Sequence, residues 1–395
     1  MPIALLALTL GAFAIGTTEF VIVGLLPTMA QDLGVSLPSA GLLVSLYAAG
    51  VAIGAPVLTA LTNRWPRKRT LLAVMSLFVI GNLLAWQAPG YTSLVVARIV
   101  TGLAHGVFFS IGSTIATSLV SKDKAASAIA TMFSGLTVAL VTGVPLGTYI
   151  GQYFGWQTTF LAVSVLGIIA LIGSLIWVPS KLAQPPATSL KVQAKVLTHP
   201  RLLLAYAITA LGYGGHFVAF TYLAPILEDV SGLSSQWTGL ILLIYGASVA
   251  VGNVWGGKLA DRLGPIAALT RITLGLALVM LLFALSAYHW VFAILTVLVW
   301  GAFAFGNVPG LQLYVVKLAE RFVPQAVDVA SGLNIAAFNV GIAAGATLGG
   351  QLVNSAGLMA TPWVGAVIVL LALALTRYSG HLDQPHSEAR AITAH

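Results

Sequence analysis

Twelve long apolar runs, each bounded by polar or Pro/Gly punctuation, dominate this chain of 395 residues. They fall near 3–27, 38–61, 70–88, 92–120, 125–152 and 158–178, and again near 201–227, 236–258, 265–287, 290–317, 325–353 and 359–378. A helix needs about 20 such residues to cross a bilayer. A membrane β-barrel would instead alternate over segments of about ten residues. Only 7% of the residues are charged, against about 25% in a soluble domain. Mean hydropathy is +0.98. A core so apolar has too little charged surface to stay in water, and it is equally unlike a disordered chain. The expected fold is an all-α membrane protein with 12 transmembrane helices. The run from Ile3 to Leu26 is too long for a cleavable signal and has no basic residues before it, so it is expected to be a retained span.

Lysine and arginine set the expected orientation. Alternate loops carry Arg64, Arg67, Lys68 and Arg69; Lys122 and Lys124; Lys181, Lys191 and Lys195; Lys258 and Arg262; and Lys317 and Arg321. The loops between them carry none. This is a positive-inside pattern, and it puts both termini in the cytoplasm. The formal net charge of +8 is then topogenic and does not call for a nucleic-acid partner.

The segment from Pro179 to Pro200 is the only long interior loop. It divides the chain into a six-helix bundle over 1–178, a cytoplasmic linker over 179–200, a second six-helix bundle over 201–378 and a cytoplasmic tail over 379–395. The two sets repeat. Tyr47 to Arg64 aligns without gaps with Tyr245 to Arg262, pairing Gly54 with Gly252, and Pro27 meets Pro225 at the same offset. Both prolines are expected to end their helices. Ser134-Gly135-Leu136 similarly meets Ser331-Gly332-Leu333. Two parallel six-span repeats are a transporter architecture, with substrate bound near the midplane between them.

Other functional classes find no support. There is no cysteine, so thiolate metal sites, disulfides and a cysteine nucleophile are excluded. His381, His386 and His395 in the tail lack metal-ligand spacing. No phosphate-binding P-loop is present, so ATP does not drive the protein directly. Ser113 and His105 lie eight residues apart on one helix, which fits an intramembrane protease poorly. No enzyme activity, cofactor or metal is expected. The expected partners are a small-molecule substrate, protons and the lipid bilayer, with the chain as a monomer.

The motifs point the same way. Gly257-Lys258-Leu259-Ala260-Asp261-Arg262-Leu263-Gly264 resembles the G-x-x-x-D-R-x-G signature of the major facilitator superfamily. The first repeat departs from it, with Asn63 for the Asp and Pro66 for the Gly. Arg98 with Gly102 and Gly106 resembles the R-x-x-x-G-x-x-x-G signature of proton-driven efflux members. Gly143-Val144-Pro145-Leu146-Gly147 is only loosely similar to the antiporter motif, and a packing kink is the safer reading. Thr17-Thr18-Glu19-Phe20, Gly24-Leu25-Leu26-Pro27, Ala104-His105-Gly106 and the stretch from Gly151 to Trp156 look most like bacterial sugar efflux transporters. The resemblance covers nearly the whole chain. It implies proton-coupled antiport that exports a small polar solute, of sugar or nucleoside type, by alternating access. Multidrug efflux is the alternative, and proton-coupled uptake a lesser one.

Few ionisable residues lie inside the spans, and such residues normally face a cavity or a partner. Glu19 lies fifteen residues past Ala4, His105 fifteen before Val120 and His216 fifteen past Arg201, each counted from the cytoplasmic side. At 1.5 Å per residue that is about 22 Å for each, so the three share a layer. Arg98 lies two turns before His105, about 10 Å nearer the periplasm on the same face. An apolar surround favours the neutral form of a carboxyl, which makes Glu19 the expected proton carrier. His105 is its expected partner, Arg98 a tuning or packing residue, and His216 a further candidate. The family fold implies that helices 1, 4 and 7 line the central cavity. Asn334, Asn339, Gln312 and Asn253 can hydrogen-bond sugar hydroxyls or bind helix to helix. Tyr47, Tyr245, Phe108, Phe109 and Tyr213 can stack on a ring or fill the core. A cytoplasmic gate is expected from Asp261, Arg262, Arg321 and Asp328, with Glu320 close by.

Overall fold

The computed structural model describes residues 2–62, 65–121, 125–182 and 195–383. It is all-helical among these residues, with 12 helices long and apolar enough to cross a membrane. We label them α1 (Ile3–Asp32), α2 (Leu37–Leu61), α3 (Arg67–Trp86), α4 (Tyr91–Ser118), α6 (Trp156–Trp177), α8 (Ser235–Leu263), α9 (Pro265–Ser286), α10 (Trp290–Phe322), α11 (Val327–Ala356) and α12 (Ala360–Asp383). Two rods are interrupted. In α5 a wide π turn, Ala139–Gly143, joins Ala125–Val138 to Val144–Phe154. In α7 the helix Pro200–Phe220 is followed by a break, the turn Leu223–Pro225 and a second π turn, Ile226–Val230.

Proline accounts for both interruptions. Pro145 and Pro225 lack the N–H that would close the preceding turn, and the chain widens or breaks nearby. In α5 the wide turn sets Gly143 directly against Thr17 of α1. Pro27 acts differently from the sequence expectation. It lies inside α1, which continues to Asp32. Buried neighbours on both sides, Leu25, Leu26 and Met29, hold the rod together across the missing hydrogen bond.

Glycine sets the closest helix approaches. A Cβ on Gly54 would fall 2.7 Å from the backbone of Leu103, and one on its repeat counterpart Gly252 would overlap the backbone of Ala302. The repeated glycine thus seats α2 on α4 and α8 on α10 in the same way.

The core divides by depth, with loops assigned to sides by their lysines and arginines. Toward the periplasmic face, one apolar cluster joins both sets of six helices. It includes Phe20, Leu25 and Leu43 from the first and Tyr213, Phe217, Leu242 and Trp300 from the second. Toward the cytoplasmic face there are two separate clusters. One is built from α1, α3, α4, α5 and α6 around Leu8, Phe78 and Phe108. The other is built around Leu202, Leu311 and Leu318. Polar contacts across the seam also lie on the periplasmic side. Thr347 of α11 donates to Ser45 of α2 at 3.0 Å, and Gln152 of α5 donates to the Ser235 carbonyl of α8 at 2.9 Å. The seam is therefore sealed toward the periplasm, and the apolar cores are parted toward the cytoplasm.

The last helix runs five residues beyond the expected start of the tail, to Asp383. Arg201, at the start of α7, meets the Asp383 carboxylate at 2.8 Å and also donates to the Ser379 carbonyl at 3.1 Å. Tyr314 of α10 donates to Asp383 at 2.9 Å. These bonds tie the first residues of the expected tail to α7 and α10. Residues 384–395, including His386 and His395, lie outside the described residues, as do Asn63, Arg64, Lys122, Lys124 and most of the linker.

Candidate functional site

Glu19 and His105 meet inside the first six helices. Both are buried, and His105 Nδ1 lies 3.9 Å from Glu19 Oε2. That is close enough for an ion pair and too long for a direct hydrogen bond. The same nitrogen lies 3.0 Å from the Tyr47 hydroxyl of α2. His105 Nε2 has no hydrogen-bond partner among the described residues. One ring nitrogen is thus engaged and one is open.

Arg98 builds the floor of this cluster. Its Nη1 donates to the Thr18 carbonyl at 2.8 Å and its Nε to the Leu43 carbonyl at 3.4 Å. The guanidinium carbon sits 4.0 Å from the Tyr47 ring centroid, a cation–π contact. Its Nη2 is buried without a partner. Asn82 of α3 holds the same stretch of α1, accepting from the Thr18 hydroxyl at 2.7 Å. Asn82 in turn donates to the Phe78 carbonyl at 2.9 Å. Arg98 and Asn82 together fix the α1 backbone beside Glu19. Asn82 is absent from the sequence candidates, although a buried amide within an apolar run is the kind of signal that could have flagged it.

His216 does not join this cluster. It sits within the second six helices, bonded on both sides. Trp300 Nε1 lies 3.1 Å from its Nδ1 and the Tyr245 hydroxyl 3.3 Å from its Nε2. An indole N–H can only donate, so Nδ1 accepts and the ring proton is on Nε2. The ring also stacks on Phe220 at 4.9 Å. A second proton has no place on this ring unless the Trp300 bond breaks. Tyr47 and Tyr245 are repeat counterparts, and each reaches a histidine. Those histidines come from α4 in one repeat and α7 in the other, so a symmetric frame carries asymmetric chemistry.

An aromatic wall faces α1 across the seam. Phe20, next to Glu19, lies 6.3 Å from Phe217 and 6.1 Å from Phe305. Tyr213 packs edge-on against Phe305 at 5.6 Å and Phe338 at 4.9 Å.

The remaining candidates separate. Asn334 and Gln312 form one chain of amides: Thr209 donates to Asn334 at 2.7 Å, Asn334 donates to Gln312 at 2.8 Å, and Gln312 bonds to Ser331. Their hydrogen bonds largely satisfy one another. Asn339 donates to the Ile335 carbonyl at 3.0 Å and leaves its Oδ1 buried and unpaired. Asn307 of α10, also missing from the sequence candidates, leaves a buried Oδ1 unpaired. Asn253 is half-buried on α8 and makes no hydrogen bond among the described residues. Phe108 packs against Gly11 and Phe109 in the cytoplasmic core of the first six helices. Ser113 donates to the Phe109 carbonyl at 2.7 Å.

The expected gate latch is not formed in this conformation. Asp261, Arg262 and Arg321 are exposed and make no ion pair among the described residues, and Arg321 lies over the Phe322 ring at 5.1 Å. The parted cytoplasmic cores leave these loops without a partner across the seam. The side chain of Asp328 lies outside the described residues.

Comparison with known proteins places this architecture. The Major Facilitator Superfamily profile matches residues 8–322. The chain is 53% identical to the uncharacterized MFS-type transporter YtbD of Bacillus subtilis (strain 168), over 96% of each chain. It is 41% identical to the inner membrane transport protein YdhP of Escherichia coli (strain K12), over 97% of each. It is 36% identical to a chloramphenicol resistance protein of Streptomyces lividans, over 94% of this chain and 95% of that one. Among solved structures, a bacterial homologue of the human lysosomal transporter Spinster, inward-facing and unoccupied, superposes with a TM-score of 0.77. It shares 16% identity over 96% of each chain, a likeness of fold alone.

This chain belongs to the major facilitator superfamily. It is a multi-pass inner-membrane transporter of a small-molecule substrate and not an enzyme.

Proposed function

We propose that this protein is a proton-coupled antiporter that exports a small solute by alternating access. Residues 1–178 and 201–378 act as the two moving bundles. The observation that carries the reading is the buried Glu19–His105 pair, 3.9 Å apart, with Tyr47 on the same histidine nitrogen. A carboxyl and an imidazole so placed can exchange one proton with little rearrangement. A periplasmic proton neutralises Glu19 when the seam opens outward, and His105 relays or partners it. Substrate release and protonation favour the return to the inward-facing state. Deprotonation toward the cytoplasm lets the next substrate load. One pH unit supplies about 1.4 kcal/mol per proton. A potential of 100 mV supplies about 2.3 kcal/mol per charge.

The site favours a solute that has both a flat ring and polar groups. The aromatic wall suits the ring, and Glu19, next to Phe20 of that wall, suits hydrogen-bond donors. A nucleoside fits both, and a simple sugar uses the wall less. Drug efflux is the second reading, favoured by the same wall and by the likeness to a chloramphenicol resistance protein.

The test is transport in proteoliposomes under an imposed pH gradient, comparing the wild type with Glu19→Gln. The panel is an arabinose-type sugar, a purine nucleoside and a cationic drug. Loss of gradient-driven flux with substrate exchange retained supports coupling through Glu19, and the transported compound names the class. Undiminished gradient-driven flux in Glu19→Gln rejects Glu19 as the coupling site.

A further inference from the structure

A second concave site lies far from Glu19, at the cytoplasmic end of the last six helices. It is a cleft of about 400 Å³ between the α8–α9 loop, the end of α10 and the end of α12. Lys317 and Arg321 line one side, one helical turn apart, and both are exposed. Leu263 and Leu318 supply an apolar surface, with Tyr314 and Asp383 at the far side. The Asp383 carboxylate is already neutralised by Arg201 at 2.8 Å. Neither Lys317 nor Arg321 pairs with a carboxylate among the described residues. The cleft therefore carries two positive charges that form no ion pair among the described residues, beside an apolar surface.

We propose that this cleft binds the headgroup of an anionic phospholipid from the cytoplasmic leaflet. Three features point to a lipid as the occupant. The charge complements a phosphodiester, which a guanidinium can hold through two hydrogen bonds. Lys317 and Arg321 close the span Trp290–Phe322, at the end that the lysine and arginine pattern assigns to the cytoplasm. Leu263 is exposed beside them and offers an acyl chain a surface continuous with the cleft. Basic pockets between helices on this side of a membrane are suited to such headgroups. The bound lipid would sit against Asp383 and Tyr314, and so brace the bonds that tie α12 to α7 and α10.

The test uses the full-length protein in nanodiscs of phosphatidylcholine alone or with phosphatidylglycerol, read by thermal unfolding. A ligand that binds only the folded state raises the melting temperature with its concentration. The wild type gains stability from phosphatidylglycerol, and Lys317→Gln/Arg321→Gln loses most of that gain. The control, Arg271→Gln/Arg377→Gln, removes the same charge from exposed cytoplasmic-side positions and keeps the gain. Should the double variant fold poorly, Lys317→Gln and Arg321→Gln are read singly, and each loses part of the gain. Equal loss in variant and control reduces the effect to bulk charge and overturns the site. Absence of any phosphatidylglycerol effect in the wild type overturns it too. Full reproduction of the gain by inorganic phosphate in phosphatidylcholine discs makes it an anion site and overturns the lipid assignment.

Discussion

The Trp300 indole donates to His216 Nδ1 at 3.1 Å, and this one bond decides which nitrogen of that ring carries the proton. His105 has no such constraint, since its Nδ1 faces a hydroxyl that can donate or accept. The two histidines should therefore behave differently when replaced. His105→Gln is expected to lower gradient-driven flux at least tenfold. His216→Gln should keep coupling and lose stability, by about 1 kcal/mol for each hydrogen bond lost. Flux ratios at two imposed gradients, with melting temperatures, check this. Equal coupling defects in both variants would contradict the assignment.

Arg98 holds α1 by donating to backbone carbonyls, so charge alone will not replace it. Arg98→Lys keeps the cation and loses the fork that reaches Thr18 and Leu43 together. A hydrogen bond from a charged group contributes about 1.5–3 kcal/mol. Arg98→Lys should thus retain folding but lower both stability and transport, and Arg98→Ala should be worse. Wild-type melting in Arg98→Lys would count against a positioning role.

The periplasmic seal depends on Gly41. A Cβ there would overlap the Tyr222 hydroxyl, which donates to the Ala346 carbonyl at 3.3 Å. Gly41→Val is expected to displace Tyr222 and loosen the seam. The chain lacks cysteine, so Ser45→Cys offers a single label site at the Thr347 contact. Its labelling by an impermeant maleimide from the periplasmic side should rise several-fold in the Gly41→Val background. No rise would show that the seal lies elsewhere.

Breaking the Arg201–Asp383 pair should cost stability and leave coupling intact. The two side chains are 15% and 27% exposed, so solvent screening limits the pair to about 1 kcal/mol. Asp383→Asn is expected to lower the melting temperature modestly, with unchanged flux per folded molecule. A coupling defect would assign the α12 end a role in the transport cycle.

The architecture was largely legible because bilayer thickness and repeat symmetry act on long stretches of sequence. That Glu19 and His105 lie at one depth was legible by the same logic, since few charges enter the spans and depth can be counted; the structure sets them 3.9 Å apart. What stayed hidden depended on rotation about the helix axis. Phe108 and Tyr47 both read as aromatics that stack on a ring or fill the core. One packs against Gly11 in a core, and the other reaches His105 Nδ1 with its hydroxyl. Likewise Gln312 and Asn334 read equally as substrate contacts or as helix-to-helix bonds, because spacing along one helix cannot show that a neighbouring helix satisfies them. The end of α12 was missed because its polar sequence gave no hint that Arg201, far away in the chain, would order it.

The apolar cluster joining Phe20 to Phe217 and Leu242 is shared only toward the periplasmic face. In a transporter these surfaces must separate each time the outer side opens, while those on the inner side come together. The residues along the seam thus spend part of every cycle as packed interior and part as wetted wall. A substitution that fits the closed seam too well would trap the protein in one posture. Turnover, and not melting temperature, would then reveal the damage, so at this seam excess stability is itself a form of failure.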